Sequence, residues 1–240
     1  LIFNKNFTVS VTDVNETPTD ITLDSLSVAE NSAGAHIANI TGIDPDGDTL
    51  TYSIVGGADE ALFEISDSGD RLHLAPGVSA DYESKPQLEV QLQATDSEGL
   101  FFDKTFTVSV MDVNEAPTDM ALSSLTIEEN SAAGTIVGNL SAADPDVGDT
   151  HSFSLVGGTG SNLFEINANN QLVVKSGAVL DYETLSNPTV TISTTDSGGL
   201  SFDKTFTVSV TDVDENTAPT DITLDSLSVA ENSAGAHIAN

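Results

Sequence analysis

Acidic side chains recur in this sequence at fixed spacings, and they are the residues with chemistry to offer. Asp44-Pro-Asp46 and Asp144-Pro-Asp146 each set two carboxylates across a proline. Glu30 stands in Ala-Glu-Asn and Glu129 in Glu-Glu-Asn. Asp81-Tyr-Glu83 and Asp181-Tyr-Glu183 follow, then Asp96 and Asp196 after Ala-Thr and Thr-Thr. Asp112-Val113-Asn114-Glu115 closes the first set. Carboxylates and amides are hard oxygen donors. Calcium takes about six to eight of them, whereas magnesium holds its waters and a tighter shell. Zinc asks for His or Cys. There is no cysteine, and His36, His73, His151 and His237 are scattered in or beside expected strands, where they read as surface or satisfied residues.

Other chemistries lack a constellation. Asp196-Ser-Gly-Gly199 has the look of a serine nucleophile turn. Its sibling Asp96-Ser-Glu-Gly99 marks both as a turn before the last strand, and no His with an orienting acid shares that end. The pairs Gly56–Gly57 and Gly157–Gly158 precede no helix, so no phosphate loop is implied. The chain is not expected to be an enzyme.

The balance of 6 Lys+Arg against 38 Asp+Glu gives a formal net charge of -32 over 240 residues. Nucleic-acid binding needs a basic footprint that six cations cannot make. An anionic membrane surface would repel the chain, and no apolar run is long enough to insert directly. Missing cysteine rules out disulfide staples and thiolate metal sites without fixing a compartment.

The elements that must position these acids come from a repeat. Pro18–Asn39 recurs unchanged as Pro219–Asn240, and Phe102–Val110 recurs as Phe202–Val210, so the period is about 100 residues. That length suits an independently folding domain rather than a solenoid unit. The expected organisation is the last strand and linker of a preceding repeat (1–17, with a strand over Leu1–Val11), whole repeats at 18–116 and 117–218, and the start of another at 219–240. Short alternating runs broken by Gly, Pro, Asp and Asn predict strands near Ile21–Val28, Ala35–Ile43, Leu50–Val55, Leu62–Ile65, Leu72–Ala75, Gln87–Thr95 and Phe101–Met111. The fold class is all-β: tandem seven-stranded Greek-key sandwiches, Ig-like in architecture, with short linkers.

Strand parity assigns each loop to an end of its sandwich. In the first repeat Glu30, Asp81, Glu83, Asp112, Asn114 and Glu115 fall at the exit end, and Asp44, Asp46 and Asp96 at the entry end. In the second, Glu129, Asp181, Glu183, Asp212, Asp214 and Glu215 fall at the exit end, and Asp144, Asp146 and Asp196 at the entry end. The short linker Asp112–Pro117 must bring the first exit end to the second entry end. Asp13, Asn15 and Glu16 stand in the same relation to Asp44, Asp46 and Asp96. Two like charges about 5 Å apart at an effective dielectric of about 20 repel by roughly 3 kcal/mol. Such a cluster calls for Ca2+ between the repeats. Acidic loops usually only make turns. Those outside this set behave so: Asp67–Asp70 becomes Asn167–Asn170 in the sibling, and Asp59-Glu60 becomes Gly160-Ser161, while the proposed ligands keep their oxygens in both copies.

In order and spacing these motifs, with Leu62–Ile65 and Leu163–Ile166 (Leu-Phe-Glu-Ile) added, resemble cadherin repeats, in particular the cadherin-like repeats of large bacterial surface proteins. The resemblance implies that Glu30 and the Asp-Tyr-Glu acids bind calcium from the upper repeat. It implies that Asp112–Glu115 bridges with side chains and the carbonyl of Val113, and that the Asp-Pro-Asp and Thr-Asp aspartates bind from the lower repeat. Asp112–Pro117 and Asp13–Pro18 lack the further Asn of the usual animal linker, Glu115 and Glu16 replace a common Asp, and Asp212–Pro219 is longer. With no Trp in the chain, exchange of a Trp-bearing strand is not implied. The expected function is a calcium-dependent extender within a cell-surface, extracellular adhesin, its partners being neighbouring repeats of the same chain. The alternatives are repeats that bind one another homophilically, or that bind carbohydrate or other surface proteins. Only three Tyr are available for stacking on a sugar.

Overall fold

Alternation between apolar and polar residues decides where each strand's two faces go. In Phe106-Thr-Val-Ser-Val110 the apolar members are buried and the polar ones exposed. A computed structural model describes residues 1–215 together with Glu231. The expected repeat start at 219–240 lies outside the described residues, Glu231 apart. The described residues divide into two units. One is Leu1–Asp119 with Ala142–His151 and Thr195–Phe202; the other is Met120–Ser141, Ser152–Thr194 and Asp203 onward. The first unit therefore holds a whole sandwich plus the loops bearing Asp144, Asp146, Asp149 and Asp196.

That sandwich has eight strands: β1 (Asp20–Leu23), β2 (Ser27–Ala29), β3 (His36–Ile43), β4 (Thr51–Gly56), β5 (Phe63–Ile65), β6 (Arg71–Leu74), β7 (Gln87–Thr95) and β8 (Phe101–Met111). A 3-10 turn over Glu60–Leu62 leads into β5. One sheet runs β1-β3-β6-β5 and the other β2-β8-β7-β4. Between them lie Ile21, Val28, Ile37, Leu72, Leu74, Val90, Leu92 and Val108, with Phe63 and Phe106. Burying each stabilises by about 1.5–3 kcal/mol.

The single strand predicted at Ile21–Val28 is two. β1 pairs antiparallel with β3, and β2 pairs parallel with β8 in the other sheet. The crossing at Asp24–Leu26 is fixed by Asp24, whose carboxylate accepts from the Asn39 N–H at 2.8 Å and from its side-chain amide at 2.6 Å. Leu1–Val11, predicted as a strand, forms none and is exposed throughout.

The second set is β9 (Asp119–Leu122), β10 (Thr126–Glu128), β11 (Ile136–Ala143), β12 (Ser152–Gly157), β13 (Phe164–Ile166), β14 (Gln171–Val174), β15 (Thr189–Thr195), β16 (Ser201–Thr207) and β17 (Ser209–Thr211). Its sheets run β13-β14-β11-β9, β12-β15-β16 and β10-β17. Pro188 stands where Leu88 lies in β7. It has no N–H to give, so β15 starts at Thr189 and the facing strand breaks at Val208. The glycine pairs serve close packing: a Cβ on Gly57 (φ 109°) would come within 2.6 Å of the Glu89 carbonyl oxygen, and Gly158 is crowded by Thr189 in the same way.

Candidate metal centres

The sharpest feature of the site is a buried glutamate just after β2 and another just after β10. Glu30 is 3% exposed. Its Oε2 accepts from Tyr82 N–H at 2.6 Å and its Oε1 from Val113 N–H at 2.8 Å. One side chain thus ties the Asp-Tyr-Glu loop to the linker. Glu129 repeats this with Tyr182 N–H at 2.9 Å and Val213 N–H at 2.8 Å. Hydrogen bonds to an ionised acceptor are about twice as strong as neutral ones. Asn31 and Asn130 follow with φ of 59° and 56°, a left-handed conformation asparagine tolerates. That turn aims the Asn31 amide at Glu115 Oε1, 2.7 Å away, and the Asn130 amide at Glu215.

The linker hooks the loops bearing Asp146 and Asp196, which belong to the same unit, by two contacts. The Asn114 amide donates to Asp196 Oδ2 at 3.0 Å, and Glu115 N–H donates to Asp146 Oδ2 at 2.7 Å. The N-terminal linker does the same: Asn15 to Asp96 Oδ2 at 2.9 Å and Glu16 N–H to Asp46 Oδ2 at 2.7 Å. Within the loops, Asp44 Oδ1 accepts from Asp46 N–H at 2.9 Å, and Asp144 Oδ1 from Asp146 N–H at 3.1 Å. Proline between the two aspartates fixes φ and supplies no competing donor.

Carboxylate oxygens then converge. Glu30, Glu83 and Glu115 form one group within 4.8 Å; Glu83, Asp112 and Asp146 a second; Asp144, Asp149 and Asp196 a third. Asp13, Glu16 and Asp46 gather at the N-terminal linker, and Glu129, Asp181 and Glu183 in the second unit. Three buried oxygens in these loops and linkers have no hydrogen-bond partner: Asp44 Oδ2, Glu115 Oε2 and Asp146 Oδ1. A buried anionic oxygen without a donor is costly. The donor set is all oxygen, which suits a hard dication and not a thiophilic or imidazole-seeking one.

The electrostatics agree. Partial burial, then the nearby Asp146 and Glu30 carboxylates, raise the Asp112 pKa above the ordinary range. Burial, then repulsion from Glu30, Glu115 and Asp112, raises Glu83. Glu16 is raised first by its hydrogen bond with Asp46 and then by that residue's charge. Asp96 and Asp196 go the other way: burial pushes each up, but donation from Asn15 or Asn114 and from backbone N–H groups holds each low.

Among the sequence-predicted residues, Asp81 stands apart from the triads. Its oxygens accept from Ser84 N–H at 2.8 Å and Ser84 Oγ at 2.7 Å, and these bonds lower its pKa. Asp181 is held by Thr184 alike yet also joins Glu129 and Glu183. Val113 contributes its N–H to Glu30, and Asp212 and Asp214 are exposed linker residues that join no triad among the described residues. Sequence reasoning missed Asp149, which joins Asp144 and Asp196, and its counterpart Asp48, whose N–H reaches Asp44 Oδ1 at 3.3 Å. The signal was present: both Asp-Pro-Asp loops close on a further Asp. It also missed Asn31 and His151, whose Nε2 lies 2.7 Å from Asp144 Oδ2.

Known proteins are similar to this chain in sequence and fold. Residues 123–213 match the Cadherin domain family model. The chain is 32% identical over 188 residues to Cadherin-related family member 2 of Homo sapiens, covering 72% of this chain and 14% of that protein. It is 32% identical over 219 residues to Protocadherin-23 of Homo sapiens, covering 87% and 6%. It therefore spans a small part of the length of these relatives. Among solved structures, human Protocadherin-24 EC1-2 superposes with a TM-score of 0.65 at 21% identity, covering 83% of this chain and 100% of that one. Mouse Cadherin-23 EC22-24 gives 0.62 at 22% identity, covering 84% and 68%. Those likenesses establish the fold.

Proposed function

Because the chain belongs to the cadherin family, we propose that it is part of a calcium-dependent adhesion protein at the cell surface, and that its carboxylate clusters are calcium sites. Cadherin domains as a family bind calcium. The observation that carries the reading is the set of buried, partnerless oxygens Asp44 Oδ2, Glu115 Oε2 and Asp146 Oδ1 in acidic, all-oxygen clusters.

Glu30, Glu83, Asp112, Glu115, Asp146, Asp144, Asp149 and Asp196 would hold the ions of the 112–117 linker, with Asp81, Asn114 and the Val113 carbonyl completing the shell. Asp13, Asn15, Glu16, Asp44, Asp46 and Asp96 would form the N-terminal set. Glu129, Asp181, Glu183, Asp212, Asp214 and Glu215 would form the last. Bound Ca2+ supplies the positive charge that lets these carboxylates stay ionised side by side. The protein's own part is placement. Glu30 orients the linker through Val113 N–H, Asn114 and Glu115 fix it to the next loops, and Asn31 steadies Glu115. Repeats bounded at 18–116 and 117–218 would then be stiffened at each linker and present the parent protein's binding regions, with neighbouring repeats as first partners.

Titrating Ca2+ into chelator-treated protein should raise its melting temperature and narrow the distance distribution seen by small-angle scattering. Identical melting and scattering with Ca2+ and with chelator would defeat the reading. Concentration-dependent self-association appearing only with Ca2+ would add homophilic contact to it.

A further inference from the structure

We propose that His36 and His73 form a second and chemically different metal site, on the outer face of the first sandwich, for a borderline transition-metal dication such as Zn2+. His36 opens β3 and His73 lies in β6, directly opposite it in the antiparallel register. Side chains so paired leave the same face of the sheet. The two rings stand 4.9 Å apart between centroids and are tilted by 55°. Neither imidazole hydrogen-bonds to protein among the described residues, so each keeps a nitrogen to offer. An ion bound to two imidazoles at about 2.0–2.1 Å from each nitrogen needs the rings within a few ångström of one another, as these are.

The row continues. Glu64 of β5 pairs with His73 from the other side and is exposed. A cavity of about 410 Å³ opens on the His73 side, lined by His73, Glu64 and Asp67 among others. Water would fill the positions on the ion that the two imidazoles leave open. The fold does not demand the imidazoles. At the equivalent positions of the second set, Ile136 faces Val173, and Glu165 faces Val173 from the other strand. Two polar rings thus stand in contact where an apolar pair also serves. Imidazole selects zinc, copper and nickel over calcium, which prefers oxygen. The site is separate from the carboxylate clusters and stands or falls without them.

The test uses the full chain in excess Ca2+, which occupies oxygen sites first. Calorimetric titration with Zn2+ should show one further ion per chain. His36→Ile and His73→Val, which copy the second set and so preserve folding, should each weaken it by about tenfold or more; a thermal melt confirms that both variants are folded. Cu2+ used as a probe should show nitrogen hyperfine coupling in the parent and lose it in the double variant. Zn2+ affinity unchanged in the double variant, or affinity that disappears with His151→Asn instead, would overturn the proposal.

Discussion

The linkers at 13–18 and 112–117 hold the following loops by the same two hooks, yet they gather different amounts of charge. In both, an asparagine amide reaches the Thr-Asp aspartate, and a glutamate N–H reaches the second aspartate of Asp-Pro-Asp. The later linker also receives Glu30 and Glu83, so two triads form there among the described residues, one with Glu115 and one with Asp112. At the earlier one Asp13, Glu16 and Asp46 gather, with Asp96 held by Asn15. The hooks are thus local properties of the linker sequence.

The comparison can be broken most severely at Glu30. Glu30→Ala leaves Tyr82 N–H and Val113 N–H without their acceptor and should destabilise the first sandwich by about 2–4 kcal/mol even in chelator. Urea unfolding measures it, and a loss seen only with Ca2+ would mean that the glutamate acts on the ion alone. Next, Asp146→Asn should weaken the tightest class of Ca2+ sites by about tenfold or more, whereas Asp46→Asn should alter a weaker class. Calorimetry on both variants tests the asymmetry, and equal losses would erase it. Asn114→Ala and Asn15→Ala should cost similar amounts, about 1 kcal/mol each, because the hook is the same. A far larger cost for Asn114→Ala would show that hook and upper sandwich are coupled.

A subtler contrast lies in pH. Glu83 and Asp112 have raised pKa values in the fold, from burial first and neighbouring carboxylates second. Their favourable contribution is complete below the ordinary carboxylate range and is lost as pH rises through the raised values. In chelator the melting temperature should therefore fall as pH climbs just above that range, and Ca2+ should abolish the fall. A melting temperature flat across that window in chelator would count against the charge crowding.

Much of this arrangement was legible from spacing. Strand parity needs only the number of crossings, which is why Glu30, Glu83, Asp112 and Asp146 were grouped from sequence and converge in the structure. Ranges that depend on simple alternation, such as Gln87–Thr95 and Phe101–Met111, were readable to the residue. What escaped depends on local chemistry that alternation does not encode. The break at Asp24 follows from one carboxylate capping Asn39, and the strand break at Val208 from a missing N–H across the ladder at Pro188. Asp149 was hidden by the extra Val147 that shifts it relative to Asp48. Asn31 acts through a left-handed backbone that its neighbours in sequence do not announce.

The parallel pairing of β2 with β8, in register from Ser27–Ser109 to Ala29–Met111, has a mechanical consequence. The chain enters this pair at the start of β2 and leaves it at the end of β8. Tension applied at the two ends therefore slides one strand along the other and loads the cross-strand bonds together, instead of peeling them one by one. A patch only three residues long can in this way resist traction far better than an antiparallel hairpin of equal length pulled open from its free ends.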